Sequence, residues 1–303
     1  MRATCGRRQA AVVLLAALVA GAAGCGGDEK ADGSPVTEAA TTSASPTGPA
    51  PIDILVTNDD GVGAPGIDAV VKGLKAMPAV NVTVVAPAAN QSGTGGKTTQ
   101  PTPAHHDATT ASGVPATAVD GYPADSVLVA LDVLGLKPDV VVSGVNQGQN
   151  LGPVVDLSGT VGAARAAASR GIPAIASSMG FGDTFDYSAG ATLVVEWITK
   201  HRAEFADPKA SARTQESVAN LNIPNCAAGG KVRGLKQLPT QASLPDLGGA
   251  LAKQDCASTA EPAEEVPAFN AGYATLTDIP VAPASAASPS PSAPAAVPSP
   301  TAS

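Results

Sequence analysis

Residues 52–67, IDILVTNDDGVGAPGI, contain the transition that decides the fold. The first six residues are mostly β-branched or apolar, which predicts a short buried strand. A polar turn, NDDG at 58–61, ends that strand, and the 3.6-residue period that follows predicts a helix over 66–77. The apolar face of this helix is formed by Ile67, Val70, Val71 and Leu74. A strand that passes through a polar turn into a helix is the repeating unit of an α/β fold.

The same alternation continues along the chain. Further strands are predicted at Val80–Ala86, Asp139–Ser143 and Ile172–Ser177, and further helices at Pro123–Leu134, Thr160–Ser169 and 188–204. We interpret 88–117 as a long loop, since Gly, Ser, Thr and Pro dominate it. Past residue 215, Val218–Ile223 and Gly272–Thr277 predict a small antiparallel β appendage. The predicted fold class is α/β: a mostly parallel sheet with helices on both faces, plus this C-terminal β appendage.

The first 25 residues have the pattern of an export signal. A basic head of Arg2, Arg7 and Arg8 precedes an uncharged apolar stretch over 10–20. The small residues GAAG at 21–24 then lead into Cys25, as in a bacterial lipobox, where the cysteine receives a lipid. This predicts a lipoprotein anchored through Cys25 to the outer face of the bacterial cell membrane. An ordinary secretory signal, which would release the protein, is the alternative.

Both flanks of the chain differ in composition from its centre. Residues 26–51 are small, polar and interrupted by proline, which is typical of a flexible tether. Residues 280–303 hold seven prolines and no charge, and such a tail buries too little apolar surface to offset its ordering entropy. The predicted organisation is therefore a signal at 1–25, a tether at 26–51, a folded domain at 52–279 and a disordered tail at 280–303.

The composition argues against several classes of function. The 303 residues include 26 acidic and 18 basic side chains, for a net charge of −8, and only 3% are aromatic. A net-acidic chain without a basic run is poorly suited to binding nucleic-acid backbones, and so few aromatics leave little surface for stacking many bases. No apolar run suggests a polytopic membrane protein. We therefore expect no extended nucleic acid as a partner.

Two cysteines, Cys226 and Cys256, lie late in the predicted domain. In an exported protein, two thiols are most economically joined in one disulfide. A pair of buried free thiols is the alternative that the sequence leaves open. The spacing of Cys and His side chains fits no zinc site.

Polar residues follow the predicted strands where ligands bind in open α/β sheets, beyond the carboxyl ends. Asp59 and Asp60 are adjacent carboxylates, and such a pair persists most readily when a cation neutralises it. Ser92 and Asn146 follow neighbouring strands and add neutral oxygens. An oxygen-only ligand set favours Mg²⁺, Mn²⁺ or Ca²⁺. The alternative is that NDDG only caps the next helix.

A second candidate site lies in Ser158-Gly159-Thr160, where a helix is predicted to begin. Exposed N–H groups at a helix start bind phosphate well, although a plain Ser or Thr cap has the same sequence. Lys97 belongs to a GKT triplet that imitates a phosphate-binding loop, but Gln91 occupies the position of its first glycine. His105 and His106 lie in the Thr-rich loop, where we expect them to face solvent.

Several motifs taken together resemble the SurE (survival protein E) family of metal-dependent 5′/3′-nucleotidases and acid phosphatases. The matching segments are ILVTNDDGVGAPGI at 54–67, VVAP at 84–87, NQSG at 90–93, PADSV at 123–127, PDVVVSGVNQGQNLG at 138–152, SGTVGAA at 158–164 and GIPAIASS at 171–178, with weaker matches in LNIP at 221–224 and GYATLT at 272–277.

The resemblance implies a Rossmann-like domain whose C-terminal extension forms dimer or tetramer contacts. The family's metal ligands fall on Asp59, Asp60, Ser92 and Asn146. Its phosphate-contacting residues fall on Asn150, Ser158, Gly159 and Thr160. The chain departs from the family at Leu157, where Tyr is frequent, and in the divergent stretch 225–265, which carries the cysteines. A lipoprotein leader is also atypical of the family.

We interpret the chain as a phosphomonoesterase for nucleoside monophosphates, in which a divalent cation binds the phosphate. Asp60 would hold the ion, and Asp59 would orient or deprotonate the attacking water, or attack phosphorus directly. Polyphosphate or general acid phosphatase activity at the same site is one alternative, and a non-catalytic nucleotide-binding lipoprotein is another. Candidates to hold a base are the nearby aromatics Tyr122, Phe181, Phe185 and Tyr187.

Overall fold

The strand predicted from IDILVT lies near the middle of the sheet. The computed structural model describes residues 49–205, 207, 215–226, 230–244 and 247–282, and within them nine strands form one sheet. The strands are β1 (Ile52–Thr57), β2 (Val80–Pro87), β3 (His105–Thr109), β4 (Pro115–Val119), β5 (Val140–Gln147), β6 (Ala174–Met179), β7 (Ser217–Ile223), β8 (Leu235–Gln237) and β9 (Ala274–Pro280). Their order is β3-β4-β2-β1-β5-β6-β7-β9-β8, with antiparallel pairing only in β3–β4 and β7–β9 among these strands.

Helices cover both faces of this sheet. They are α1 (Pro65–Lys75), α2 (Pro123–Leu128), α3 (Gly159–Ala168), α4 (Ser188–Phe205) and α5 (Glu265–Asn270). Side chains alternate along β1, so Ile54 and Val56 pack in one core with α1 and α4. Leu55 points the other way, into a second core with α2 and α3. The predicted α/β class is confirmed.

Two predictions about individual segments are wrong. The stretch 88–117 contains β3 and the start of β4 in place of a continuous loop. β3 is an edge strand whose first three residues are exposed, so it has no apolar face for a sequence pattern to show. At the other end, β7 pairs parallel with β6, so Val218–Ile223 extends the main sheet and does not belong to an appendage.

The segment around the two late cysteines is tied together in the structure. Cys226 and Cys256 form a disulfide with Cα atoms 5.8 Å apart. The signal at 1–25, its Cys25, and nearly all of the tether and tail lie outside the described residues. Within the described ranges, no helix has both the length and the apolar character needed to cross a membrane.

Candidate active site at the carboxyl edge of the sheet

The site lies at the switch point of the sheet, where successive strands change from one side of β1 to the other. β1 pairs with β2 on one side and with β5 on the other, which leaves a crevice beyond their carboxyl ends. The turn after β1 is closed by the Asn58 side chain, which bonds both the N–H and the carbonyl of Gly61 at 3.2 and 2.9 Å. Gly61 has a φ of 106°, a region that glycine adopts without strain. This turn places Asp59 and Asp60 at the crevice.

Asp59 is buried, with 2% of its surface exposed. The Thr160 hydroxyl donates a hydrogen bond of 2.6 Å to its Oδ1. Gly159 makes room for this contact, because a Cβ there would lie 2.9 Å from the Asp59 Cβ. Burial raises the pKa of Asp59 from 3.8 to about 6; the Thr160 hydrogen bond opposes this shift and the Asp60 charge adds to it. The start of α3 therefore holds one carboxylate in place.

Asp60 is held by two other loops. The Asn90 amide donates to its Oδ1 at 3.3 Å, and the Gln147 backbone N–H donates to its Oδ2 at 2.9 Å. Burial raises its pKa as well, against the lowering effect of the Gln147 bond. Neither carboxylate takes part in an ion pair among the described residues. Two adjacent carboxylates, Asp59 buried and Asp60 half-buried, thus lack a cationic side chain in the described part of the chain.

Asn146 supplies a neutral oxygen at the end of β5. The pairing of β5 with β6 is irregular between Ser143 and Asn146, and Gly144 there has a φ of 127°. A β-bulge of this kind re-aims the side chain that follows it. The Asn146 amide donates to the Gly148 carbonyl at 2.6 Å, while its buried Oδ1 has no hydrogen-bond partner. An unpartnered buried oxygen suits a ligand to a hard cation.

Ser92 reaches this cluster only indirectly. It is exposed, and its backbone N–H donates to Oδ1 of Asn90, the residue whose amide contacts Asp60. No group of three or more His, Cys, Asp or Glu side chains within the described ranges is placed to hold a metal. A cation here would therefore rely on the Asp59–Asp60 pair with neutral oxygens, and these donors fit Mg²⁺, Mn²⁺ or Ca²⁺ better than zinc.

The predicted phosphate-contacting residues surround the same crevice. Ser158 caps α3, its Oγ accepting a bond of 3.1 Å from the Val161 N–H. Both the hydroxyl and the backbone N–H of Thr160 serve Asp59, which leaves the Gly159 N–H at the positive end of the helix. The Asn150 amide donates to Ser178 Oγ at 2.8 Å, so this side chain is partly used in holding its own loop.

Some contributors were not singled out from the sequence. Asn90 contacts Asp60, while Ser178 and Asn222 hold Asn150 from β6 and β7. The signal for the last two is a polar residue within a buried run of a strand. The residues expected to stay out of the site, His105 and His106, lie exposed on edge strand β3, and Lys97 is exposed in its loop.

The fold and site define a class: a doubly wound α/β protein with a paired-carboxylate site at its switch point, facing a helix N-terminus. A profile of the family described as Survival protein SurE matches residues 54–243, and the chain belongs to this family. A "5'-nucleotidase SurE" of Halobacterium salinarum is 55% identical over 129 residues, which are 42% of this chain and 46% of that protein. One of Methanopyrus kandleri is 46% identical over 174 residues, 57% of this chain and 66% of that protein.

The chain therefore spans less than two thirds of the length of these curated relatives. A solved structure, the crystal structure of SurE protein from Aquifex aeolicus, is 29% identical and superposes with a TM-score of 0.60. That likeness covers 76% of this chain and 94% of the Aquifex chain, in keeping with a shared α/β fold.

Proposed function

We propose that this protein is a metal-dependent phosphomonoesterase that hydrolyses nucleoside monophosphates. The observation that carries the proposal is the Asp59–Asp60 pair beside the N-terminus of α3, with Asp59 buried, Asp60 half-buried and neither in an ion pair with the described residues. A carboxylate pair needs positive charge, and a helix start binds phosphate, so the crevice suits a cation and a phosphate together. The 5'-nucleotidase names of the relatives support a nucleotide as the substrate.

The residues divide into roles by their contacts. Asp59, Asp60 and Asn146 would hold the cation, with Ser92 added as the ligand that the family resemblance implies, and the bound cation supplies Lewis-acid chemistry at a phosphoryl oxygen. Thr160 fixes Asp59 so that its second oxygen can orient or deprotonate a water, or attack phosphorus directly. The N–H of Gly159, with Asn150 and the positive end of α3, would stabilise negative charge on the phosphoryl oxygens.

Hydrolysis by the full chain tests this proposal. Phosphate release from a nucleoside monophosphate should require Mg²⁺, Mn²⁺ or Ca²⁺, stop with a chelator, and be lost in Asp59→Asn. Asp107→Asn is the matched control, because Asp107 is an exposed aspartate on edge strand β3. Undiminished hydrolysis by Asp59→Asn would contradict the assignment. Release from polyphosphate alone would favour the alternative phosphatase, and tight nucleotide binding without release would favour a non-catalytic binder.

We also propose that the protein acts outside the cell, anchored through a lipid on Cys25. The basic head, the apolar stretch and the small residues before Cys25 support this location. A disulfide within the domain is in keeping with an oxidising compartment. Cys25→Ala should move the protein from the membrane fraction to the medium. Equal membrane recovery of both forms would contradict a lipid anchor. The family resemblance further supports a homodimer or homotetramer, which light scattering would measure.

A further inference from the structure

One aromatic ring beside the site faces solvent. Phe181 is 45% exposed, and it is the single aromatic among the strongly exposed large apolar side chains of the described residues. The other nearby aromatics are less available: Tyr187 is buried, and Phe185 stacks against it at 5.8 Å. Tyr122 is half-buried at the start of α2. Single exposed apolar residues are ordinary on protein surfaces, so exposure alone does not indicate a binding role for Phe181. Its position and its anchoring must supply that argument.

The position of Phe181 is next to the loop that holds Asp60. Phe181 follows the carboxyl end of β6, where the Gly148 N–H bonds the Met179 carbonyl at 2.8 Å. The ring lies against Gly148 so closely that a Cβ at that glycine would be 2.6 Å from it. The residue before Gly148 is Gln147, whose N–H bonds Asp60. Two residue contacts therefore connect the ring to the carboxylate pair.

The backbone that carries the ring is anchored by a buried side chain. Gln149 is 2% exposed, and its Oε1 accepts a 2.8 Å bond from the Phe181 N–H. Its amide nitrogen is within 3.1 and 3.3 Å of the carbonyls of Ala250 and Ala252. The Gln149 side chain therefore joins its own loop to the segment of Phe181 and to residues 250–252. Leu251, between the two carbonyls, is 47% exposed. A ring on an anchored backbone, packed against Gly148, loses less entropy on binding a flat ligand than a ring on a free loop.

We propose that Phe181 is the specificity-determining contact for the nucleobase of the substrate. This inference rests on the proposed function and adds to it the side chain that separates nucleotides from other phosphate esters. Bases stack on aromatic faces with little dependence on their identity, so Phe181 favours nucleotides as a class. The chain reaches this preference with one exposed ring, in keeping with its low aromatic content.

The test compares a nucleoside monophosphate with ribose 5-phosphate, which has the same phosphate and sugar but no base. In the full chain, Phe181→Ala should lower kcat/KM for the nucleotide about tenfold and leave ribose 5-phosphate within about twofold. Phe181→Tyr should keep most of the nucleotide activity. The control is Val133→Ala, which removes an exposed apolar group on the π-helical turn Val129–Val133, past the far end of α2.

Each other outcome decides the question. An equal fall for both substrates would mean that the ring only supports its loop, and no fall for either would mean that it contacts no base; both overturn the inference and leave the phosphatase standing. If the chain hydrolyses neither substrate, the proposed function fails, and saturation-transfer NMR with adenosine then tests Phe181 separately. Loss of the adenosine signal in Phe181→Ala but not in Val133→Ala supports the contact, and an unchanged signal overturns it.

Discussion

Asp59→Asn is expected to stabilise the metal-free protein while abolishing its activity. Asp59 is 2% exposed, and its pKa is raised from 3.8 to about 6, with burial as the largest cause. At 1.36 kcal/mol for each pKa unit, keeping this carboxylate ionised in the folded state costs about 3 kcal/mol. Asparagine has nearly the same shape and keeps an oxygen for the Thr160 hydroxyl, so it removes the charge with little other change.

The direction of the pKa shift determines how the stability difference between the two proteins varies with pH. Because the folded-state pKa is raised, the wild type keeps full stability from this group below about pH 4 and loses it as the pH rises through about 6. With a chelator present, Asp59→Asn should exceed the wild type by about 3 kcal/mol at pH 7.5, and the difference should vanish near pH 4.

Urea unfolding followed by fluorescence measures the difference, since Trp197 is the one tryptophan of the chain. Adding Mg²⁺ or Mn²⁺ at about a thousand times its Kd should reverse the order, because binding to the folded wild type alone then adds about 4.1 kcal/mol, more than the charge costs. Equal stability of the two proteins at pH 7.5 with chelator, or a less stable variant, would refute the idea that Asp59 is a destabilising buried charge awaiting a cation.

Three further predictions follow from the described contacts. Thr160→Val removes the 2.6 Å donor to Asp59 and should lower kcat/KM by about tenfold or more, whereas Thr160→Ser should retain activity. Dithiothreitol should lower the free energy of unfolding by about 4 kcal/mol, since Cys226 and Cys256 are 30 residues apart, and a variant with both cysteines changed to Ser should not respond. Hydrogen bonds from Thr110, Ser112 and Lys72 hold the pKa of Asp68 well below its ordinary value, although burial opposes them. The stability that this group adds to the wild type is therefore present above about pH 4 and lost below it. Asp68→Asn should have a lower free energy of unfolding in urea at pH 7, and that free energy should change less between pH 4 and lower pH than it does in the wild type.

The sequence predicted best those elements that carry an internal pattern. β1 was predicted with its observed bounds, and the apolar face of α1 packs in the core as its 3.6-residue period indicates. β3 was missed because its side chains are exposed on an edge, where neither face has to be apolar. The sequence places β7 in an appendage because no sequence pattern identifies β6 as its partner. Asn220 and Asn222 also interrupt the apolar run of β7.

For the candidate site, too, the sequence predicts one part and misses another. Its location followed from polar residues at strand ends, because parallel strands bring those ends to one edge. Its individual contacts did not follow, since they join residues far apart in sequence. Thr160 and Asp59 are 101 positions apart, and Asn150 and Ser178 are 28 apart. Only folded geometry shows that the Thr160 hydroxyl serves Asp59 and that the Asn150 amide holds its own loop.

The central position of β1 has a consequence for the order of folding. Among the described strands, β1 is the first to leave the ribosome, yet its two partners are Val80–Pro87 and Val140–Gln147. Its edge next to β5 therefore stays unpaired until β5 has been made, and β5 ends at Gln147, 90 residues after Thr57. Such distant pairing slows folding and exposes a strand edge to other chains meanwhile. We expect yield to depend on protection of Ile52–Thr57 during synthesis, a demand set by topology and independent of the chemistry at its carboxyl end.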